Sequence, residues 1–176
     1  MINKKSVERS SIFIDGSNLY HSLKRYKIKT KFEKIIEILG KDKEIVSIFY
    51  YTALLDKNFD EKRYLDHKRF LDKIKQIPNF KVVLCNLRKT ILKDGSVDYI
   101  IKGDDINLAN DLIKGAFKNE FDEAVIVSGD EDFIPAIKTV QELNKKVINA
   151  YFPKSSSYLL RRCCNHSINL RKELTK

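Results

Sequence analysis

Short runs of β-branched and apolar residues alternate with longer amphipathic runs along this chain, and this alternation restricts its fold more than any other feature. Apolar residues three and four apart predict helices between the short runs. Strands that alternate with helices form a parallel sheet with helices on both faces and right-handed crossovers. Strands are predicted at "SIFI" (11–14), "EIVSIFYYTAL" (44–54), "FKVVLCNL" (80–87), "EAVIV" (123–127) and "KKVINAYF" (145–152).

The predicted helices have recognisable boundaries. Gly40 ends the second one and Pro78 ends the third, because glycine and proline interrupt helical patterns. The segment "KTILKDGSVDYIIKG" has a turn at Asp94-Gly95 and is interpreted as a hairpin or a surface loop. Helices are predicted at 17–27, 31–39, 58–77, 105–117 and 132–143, with a short one near "SSSYLLRRCC".

Length and composition predict one domain spanning residues 1–176. Its core is expected at about 11–152, followed by a C-terminal helical or extended segment at 153–176. No segment approaches the roughly 20 apolar residues of a membrane span, so a cytoplasmic protein is expected. Cys85, Cys163 and Cys164 have neither paired nor C-x-x-C spacing, which favours reduced thiols buried as small apolar groups.

Charge is distributed unevenly along the chain. Residues 94–132 carry eleven acidic residues against three lysines, a net charge of −8, whereas the whole chain carries +10. The remaining residues therefore sum to +18. A basic body around an acidic segment favours a polyanionic partner, although surplus lysine also serves solubility.

Two predicted strands end in acidic residues. The first runs into Asp15, and "VIV" runs into Ser128-Gly129-Asp130-Glu131-Asp132. If these strands are neighbours, their carboxylates converge at the carboxyl edge of the sheet, where ligands of parallel sheets bind. Two carboxylates about 4 Å apart repel by about 4 kcal/mol at an effective dielectric constant near 20. Converging carboxylates therefore need a cation. All-oxygen ligation favours Mg²⁺ or Mn²⁺ over zinc. Asp132 could instead cap its helix.

A further group of acids lies in "KGDDINLANDL". Asp105 could cap the helix, and Asp111 follows six residues later, about 120° round the helix from it. Asp104 shares a face with Asp111 more closely. Periodicity alone does not decide between Asp104 and Asp105 as the residue that enters the site.

"FIDGSNLY", "KGDDINLANDL" and "VIVSGDEDFIPAIKTVQELNKKV", in this order, make the chain resemble the NYN domain family, LabA-like branch, whose fold is related to PIN-domain nucleases. The resemblance runs from about residue 11 to 152. It implies a three-layer α/β/α fold with a mainly parallel five-stranded sheet of order 3-2-1-4-5. The first and fourth strands are then neighbours, as convergence of the acids requires.

By resemblance, the metal and catalytic site consists of Asp15, Asp105, Asp130 and Asp132. Asn18 lies beside them, and Asp111 is a supporting acid. Two positions depart from the family pattern. Asp104 stands where an apolar residue is usual and adds negative charge, and Asn144 replaces a common glycine.

The resemblance implies a metal-dependent ribonuclease that acts on single-stranded or structured RNA with one or two Mg²⁺ or Mn²⁺ ions. The three histidines are dispersed and are expected to be structural or on the surface. The basic helix at 58–77 and the aromatic residues near Arg161 suit a single strand. A homodimer could combine two basic faces. Expected substrate contacts are Asn18, Lys102, Ser128, Arg161 and Arg162.

Two other functions stay open. One is a catalytically weak or inactive module that binds RNA or a nucleotide and acts as a regulator. The other is a metal-dependent phosphatase of the haloacid-dehalogenase type. That type needs a second aspartate two residues after the first, and this chain has Ser17 there.

Overall fold

A computed structural model describes residues 7–91, 94–95 and 97–176. The strands are β1 (Arg9–Asp15), β2 (Glu44–Thr52), β3 (Phe80–Leu84), β4 (Asn86–Ile91), β5 (Val97–Lys102), β6 (Glu123–Val127), β7 (Lys146–Tyr151) and β8 (His166–Asn169). The α-helices are α1 (Gly16–Arg25), α2 (Phe32–Leu39), α3 (Glu61–Ile74), α4 (Asp104–Phe117), α5 (Ile134–Glu142), α6 (Tyr158–Cys163) and α7 (Leu170–Leu174). Short 3₁₀ turns lie at Glu131–Phe133 and Pro153–Ser155.

The main sheet is parallel and has the order β3-β2-β1-β6-β7-β8. The predicted α/β class is confirmed, and the expected order reappears as β3-β2-β1-β6-β7. The prediction of five strands was wrong, because β8 adds a sixth at the β7 edge. In the register of β1 with β6, Ile14 lies opposite Val127, so both strands end at the same edge.

Helices cover both faces of this sheet. Alternate residues of β1 enter two different apolar clusters, with Ile12 and Ile14 on one face and Phe13 on the other. This is the period of two that a strand buried on both faces requires. Residues of α1, α2, α3 and α7 join the first cluster, and residues of α4, α5 and α6 join the second.

The segment after β2 differs in detail from its prediction. The predicted strand at 80–87 is divided, because β3 ends at Leu84 and β4 begins at Asn86. The hairpin is confirmed: β4 and β5 pair in an antiparallel two-stranded sheet outside the main sheet. At the predicted turn Gly95 has φ of 81°, and residues 92, 93 and 96 lie outside the described part. α3 is shorter than 58–77.

The C-terminal segment belongs to the fold more fully than the sequence indicated. β8 pairs with β7, and the side chains of Leu160 and Leu170 are fully buried in the two apolar clusters. Both β8 and α7 are too short for hydrophobic periodicity to reveal, so they went unpredicted as separate elements. The core therefore extends well beyond residue 152.

Composition made two further predictions. Cys85, Cys163 and Cys164 are free and half-buried, and burial raises the pKa of Cys164 to about 12. Within the described ranges no helix is both long and apolar enough to cross a membrane.

We predict that Leu170→Ala lowers the free energy of unfolding by about 2–5 kcal/mol, because truncation of a buried leucine leaves a cavity. Chemical denaturation measures this change. Leu159→Ala is the matched control: Leu159 is 59% exposed, and its truncation should cost less than about 0.5 kcal/mol. Equal effects of the two variants would mean that the C-terminal segment lies outside the cooperative core.

Candidate active site

The carboxyl ends of β1 and β6 bring Asp15 next to the Ser128 loop. Asp15 is the last residue of β1 and is buried, while Ser128 follows β6 directly. The Ser128 hydroxyl donates a hydrogen bond to Asp15 Oδ2 at 2.9 Å. Neighbouring parallel strands therefore produce the predicted convergence of the two motifs.

Helix capping fixes two of the carboxylates. Asp15 is the N-cap of α1, and its Oδ1 accepts a hydrogen bond from the Asn18 main-chain N–H at 2.9 Å. Asp130 caps the 3₁₀ turn before α5, and its Oδ1 accepts from the Asp132 N–H at 3.0 Å. These bonds satisfy N–H groups that have no partner within a helix. The alternative that Asp132 caps its helix was wrong, because Asp132 lies inside the 3₁₀ turn and Phe133 is the N-cap of α5.

A third helix begins at the same edge. Gly103 is the N-cap of α4, in a left-handed conformation with φ of 89°. Asp104 and Asp105 therefore occupy the first turn of α4 rather than its cap. The positive end of the helix dipole favours carboxylates at these positions. Asp104 is half-buried and Asp105 is exposed.

A cleft of about 760 Å³ contains this cluster. Of the predicted site residues, Asp15, Asn18, Asp104, Asp105 and Asp130 line it. The resemblance favoured Asp105, and the structure brings Asp104 into the same cleft. The other described residues in the lining are Ser17, His21, Ser22, Lys24, Arg25 and Ser155.

Three other predicted site residues, Asp132, Asp111 and Ser128, lie outside the lining of the cleft. Asp132 is exposed, and its charge still acts on Asp105. Asp111 accepts a hydrogen bond from the Tyr51 hydroxyl at 3.0 Å, so it faces the end of β2. Ser128 is buried and holds the Asp15 carboxylate through its hydrogen bond.

The predicted basic contacts also lie elsewhere. The Arg161 guanidinium lies over the Tyr151 ring at 4.8 Å and donates a hydrogen bond to the Ser156 carbonyl at 2.9 Å. The Arg162 guanidinium lies over the Tyr158 ring at 5.7 Å. Lys102 is exposed at the end of β5. Among the described residues, none of these three lines the cleft.

Gly16 and Gly129 are required by close packing. A Cβ on Gly16 would lie 2.6 Å from the Tyr51 carbonyl oxygen. A Cβ on Gly129 would lie 1.5 Å from the Ser155 carbonyl oxygen, and the Ser157 N–H donates to the Gly129 carbonyl at 2.9 Å. The loop after β7 is therefore packed directly on the loop after β6.

Loss of hydration, with added electrostatic repulsion, raises the pKa values of two carboxyl groups in the cleft. Burial raises the pKa of Asp15, hydrogen bonds from Asn18 and Ser128 oppose this shift, and the charges of Asp104 and Asp130 add to it. Loss of hydration, followed by repulsion from Asp104, raises the pKa of Asp105 to about 6. Smaller contributions to this shift come from Asp15, Asp130 and Asp132. Perturbed carboxyl groups that share a cleft are typical of functional sites.

A model of the NYN domain matches residues 9–171. The chain belongs to the NYN domain family. NYN domains are a PIN-like nuclease family, which supports a nuclease-type function. The crystal structure of a protein of unknown function from Vibrio parahaemolyticus is similar, with a TM-score of 0.71, 24% identity and 98% of each chain covered. This similarity shows the fold alone. No curated protein matches the chain.

The donor set of this NYN domain suits a hard divalent cation. Carboxylate and amide oxygens dominate the acidic end, and these are the ligands that Mg²⁺ and Mn²⁺ prefer. In the described part of the chain, no group of three or more His, Cys, Asp or Glu side chains is arranged to hold a metal ion. Mg²⁺ usually keeps several waters and needs only one or two protein carboxylates. The residues therefore fit such an ion in chemistry without forming a complete protein cage.

Sequence reasoning missed several residues of the NYN domain's site. Asn149 is fully buried on β7 and donates to the Ser128 carbonyl at 2.8 Å and to the Ile126 carbonyl at 3.3 Å, which fixes the end of β6. An asparagine inside the apolar run "VINAY" was the available signal. His21, interpreted as structural or on the surface, lines the cleft.

We predict that Asp105→Asn stabilises the metal-free protein at neutral pH. A carboxyl group whose pKa is raised to about 6 in the folded state, from an ordinary value of 3.8, costs stability as pH rises through 6. The variant should therefore have the higher melting temperature in EDTA at pH 7–8, and the difference should shrink toward pH 4.5. Glu142→Gln removes an exposed carboxylate outside the cleft and should not reproduce this pattern. A difference independent of pH would contradict the assignment.

Proposed function

We propose that this protein is a metal-dependent ribonuclease that hydrolyses phosphodiester bonds of single-stranded or structured RNA. The observation that carries the proposal is the convergence of Asp15, Asp104, Asp105 and Asp130 in one cleft. Membership of a PIN-like nuclease family supports it. The surplus of 34 basic over 24 acidic residues supports a polyanionic substrate.

Mg²⁺ or Mn²⁺, when bound, would lower the pKa of the attacking water and offset charge on the phosphate. Asp15 and Asp130 would hold the ion, since capping bonds already fix the direction of their carboxylates. Asp105 would complete the site from α4, and Asp132 would contribute from the rim. This proposed set is the one that the resemblance to the family implied.

The other polar groups would position the RNA. Asn18 lines the cleft one turn from Asp15 and could donate its side-chain amide to a phosphate oxygen. Ser128 acts indirectly, through its hydrogen bond to Asp15. Lys102, Arg161 and Arg162 lie outside the lining and could contact only parts of a longer RNA beyond the cleft. Asp104 adds negative charge beside the proposed ligands, and Asp111 holds Tyr51.

A catalytically weak RNA-binding module is the second candidate. The specific observation in its favour is that no three metal-binding side chains are grouped within the described part of the chain. We also propose that the protein belongs to the LabA-like branch, on its motifs, and that a homodimer could combine two basic faces.

We predict that Asp15→Asn and Asp130→Asn each lower cleavage of labelled single-stranded RNA by at least about 100-fold, the scale of one preorganised electrostatic group. Asparagine still accepts the capping hydrogen bond, so both variants should fold. Cleavage is measured with Mg²⁺, with Mn²⁺ and in EDTA, where it should disappear.

Asp60→Asn is the matched control for these variants. Asp60 caps α3 through the same type of bond, from the Arg63 N–H at 2.9 Å, and it does not line the cleft. Its substitution should leave cleavage unchanged. RNA affinity without cleavage in the wild type would favour the binding module, and equal cleavage by all variants would refute the site.

A further inference from the structure

One face of α1 forms a wall of the cleft. The lining residues recur at spacings of three and four, which places them along one side of the helix. The first of them adjoin the carboxylate cluster, and the last two are basic. They are Ser17, Asn18, His21, Ser22, Lys24 and Arg25.

Lys24 and Arg25 are exposed cations without an acidic partner. Among the residues that the structure describes, neither forms an ion pair with a carboxylate. Arg25 Nη1 donates to the Lys154 carbonyl at 2.6 Å, which leaves its other N–H groups for a ligand. A cation held in a cleft by a neutral carbonyl keeps its full charge for an anion.

The two ends of the cleft are joined by a rigid frame. The Lys154 N–H donates to the Tyr26 hydroxyl at 2.8 Å, so the 3₁₀ turn at Pro153–Ser155 is fixed to the end of α1. The same turn packs on Gly129, beside Asp130. Ser155 lines the cleft between these anchors.

The separation of the two ends suits a chain of phosphates. Lys24 follows Asp15 by nine positions, which corresponds to about 13.5 Å of helix at 1.5 Å per residue. Helical side chains lean toward the N-terminus, so the cationic groups lie closer to the acids than this. A strand with one phosphate at the acids would place a following phosphate near these cations.

A buried hydroxyl lies in the same wall. Ser22 is fully buried, and its Oγ has no hydrogen-bond partner among the described residues, although an unmatched buried polar group is unfavourable. Ser22 lies one turn before Arg25 and one turn after Asn18. This wall therefore contains a hydroxyl group that has no hydrogen-bond partner among the described residues, between the acidic and the basic ends of the cleft.

We propose that Lys24 and Arg25 form a second phosphate-binding subsite, which holds a phosphate adjacent to the one that is cleaved. This proposal rests on the proposed function and names its substrate more narrowly. The substrate is a polynucleotide strand that lies along α1, rather than a mononucleotide or a phosphomonoester. Arginine binds phosphate through a planar fork and lysine as a point charge, so the pair suits one phosphate diester.

The first test measures binding in EDTA, by fluorescence anisotropy with a labelled eight-nucleotide single-stranded RNA. The double variant Lys24→Gln/Arg25→Gln should bind about tenfold more weakly, and its salt slope should fall by about 0.7, the contribution of one phosphate contact on a single strand. Arg88→Gln/Lys89→Gln is the matched control, since it removes an adjacent pair of basic residues that is exposed on β4 and does not line the cleft. The control should change affinity less than about twofold.

Two further variants separate local binding from folding. Lys24→Gln alone keeps the Arg25 bond to Lys154, and it should account for about half of the change in salt slope. Arg25→Lys keeps the charge but loses the planar fork, and it should fall between the wild type and the double variant. Equal weakening by the Arg88/Lys89 control, or no change in the double variant, overturns the subsite.

The second test separates this proposal from the proposed function. With Mg²⁺ or Mn²⁺, the double variant should raise KM for the eight-nucleotide RNA and leave cleavage of a dinucleoside monophosphate unchanged, because that substrate has only the scissile phosphate. If neither the wild type nor any variant cleaves RNA, the proposed function fails, while the anisotropy result still decides the subsite. If the wild type cleaves and the double variant has an unchanged KM, the subsite alone fails.

Discussion

The pairing of β1 with β6 is the constraint on which the rest of the molecule depends. Both strands are buried on their two faces, and their residues nearest the carboxyl edge, 12–14 and 124–127, are apolar. The first polar groups beyond that edge, Asp15 and Ser128, are then forced together. Their hydrogen bond at 2.9 Å compensates part of the cost of burying a carboxylate.

The same edge distributes the acids into two groups that differ in how firmly they are held. Asp15 and Asp130 are anchored by capping bonds to main-chain N–H groups, so their positions follow from the starts of α1 and the 3₁₀ turn. Asp104 and Asp105 lie in the first turn of α4 after Gly103, without a side-chain cap. At Asp105, loss of hydration and then repulsion from the neighbouring carboxylates raise the pKa to about 6. Two fixed acids and two less constrained ones could adapt to a cation without distortion of the sheet.

Much of this fold could be predicted from hydrophobic periodicity, and the rest could not for identifiable reasons. β1, β6 and β7 each contain a short run of mainly apolar residues, with helices between the runs, and resemblance to the family supplied their order. β8 and α7 contain too few residues to show a period, so the sixth strand was missed. Asp15 and Asp130 were predictable because each follows a strand directly. The choice between Asp104 and Asp105 could not be predicted from periodicity, because both residues lie in the first turn of α4 and line the cleft.

The basic end of the cleft illustrates a different limit of sequence reasoning. Lys24 and Arg25 are indistinguishable in sequence from the other cations of a chain with 34 basic residues. Only the contacts of the turn at Pro153–Ser155 distinguish them. A main-chain carbonyl of this turn accepts a hydrogen bond from Arg25, and the turn packs closely on Gly129. Long-range contacts between α1 and a loop more than 120 residues later have no local signature. A cleft with acids at one end and cations at the other favours a ligand with regularly spaced negative charges, which excess basic charge alone would not specify.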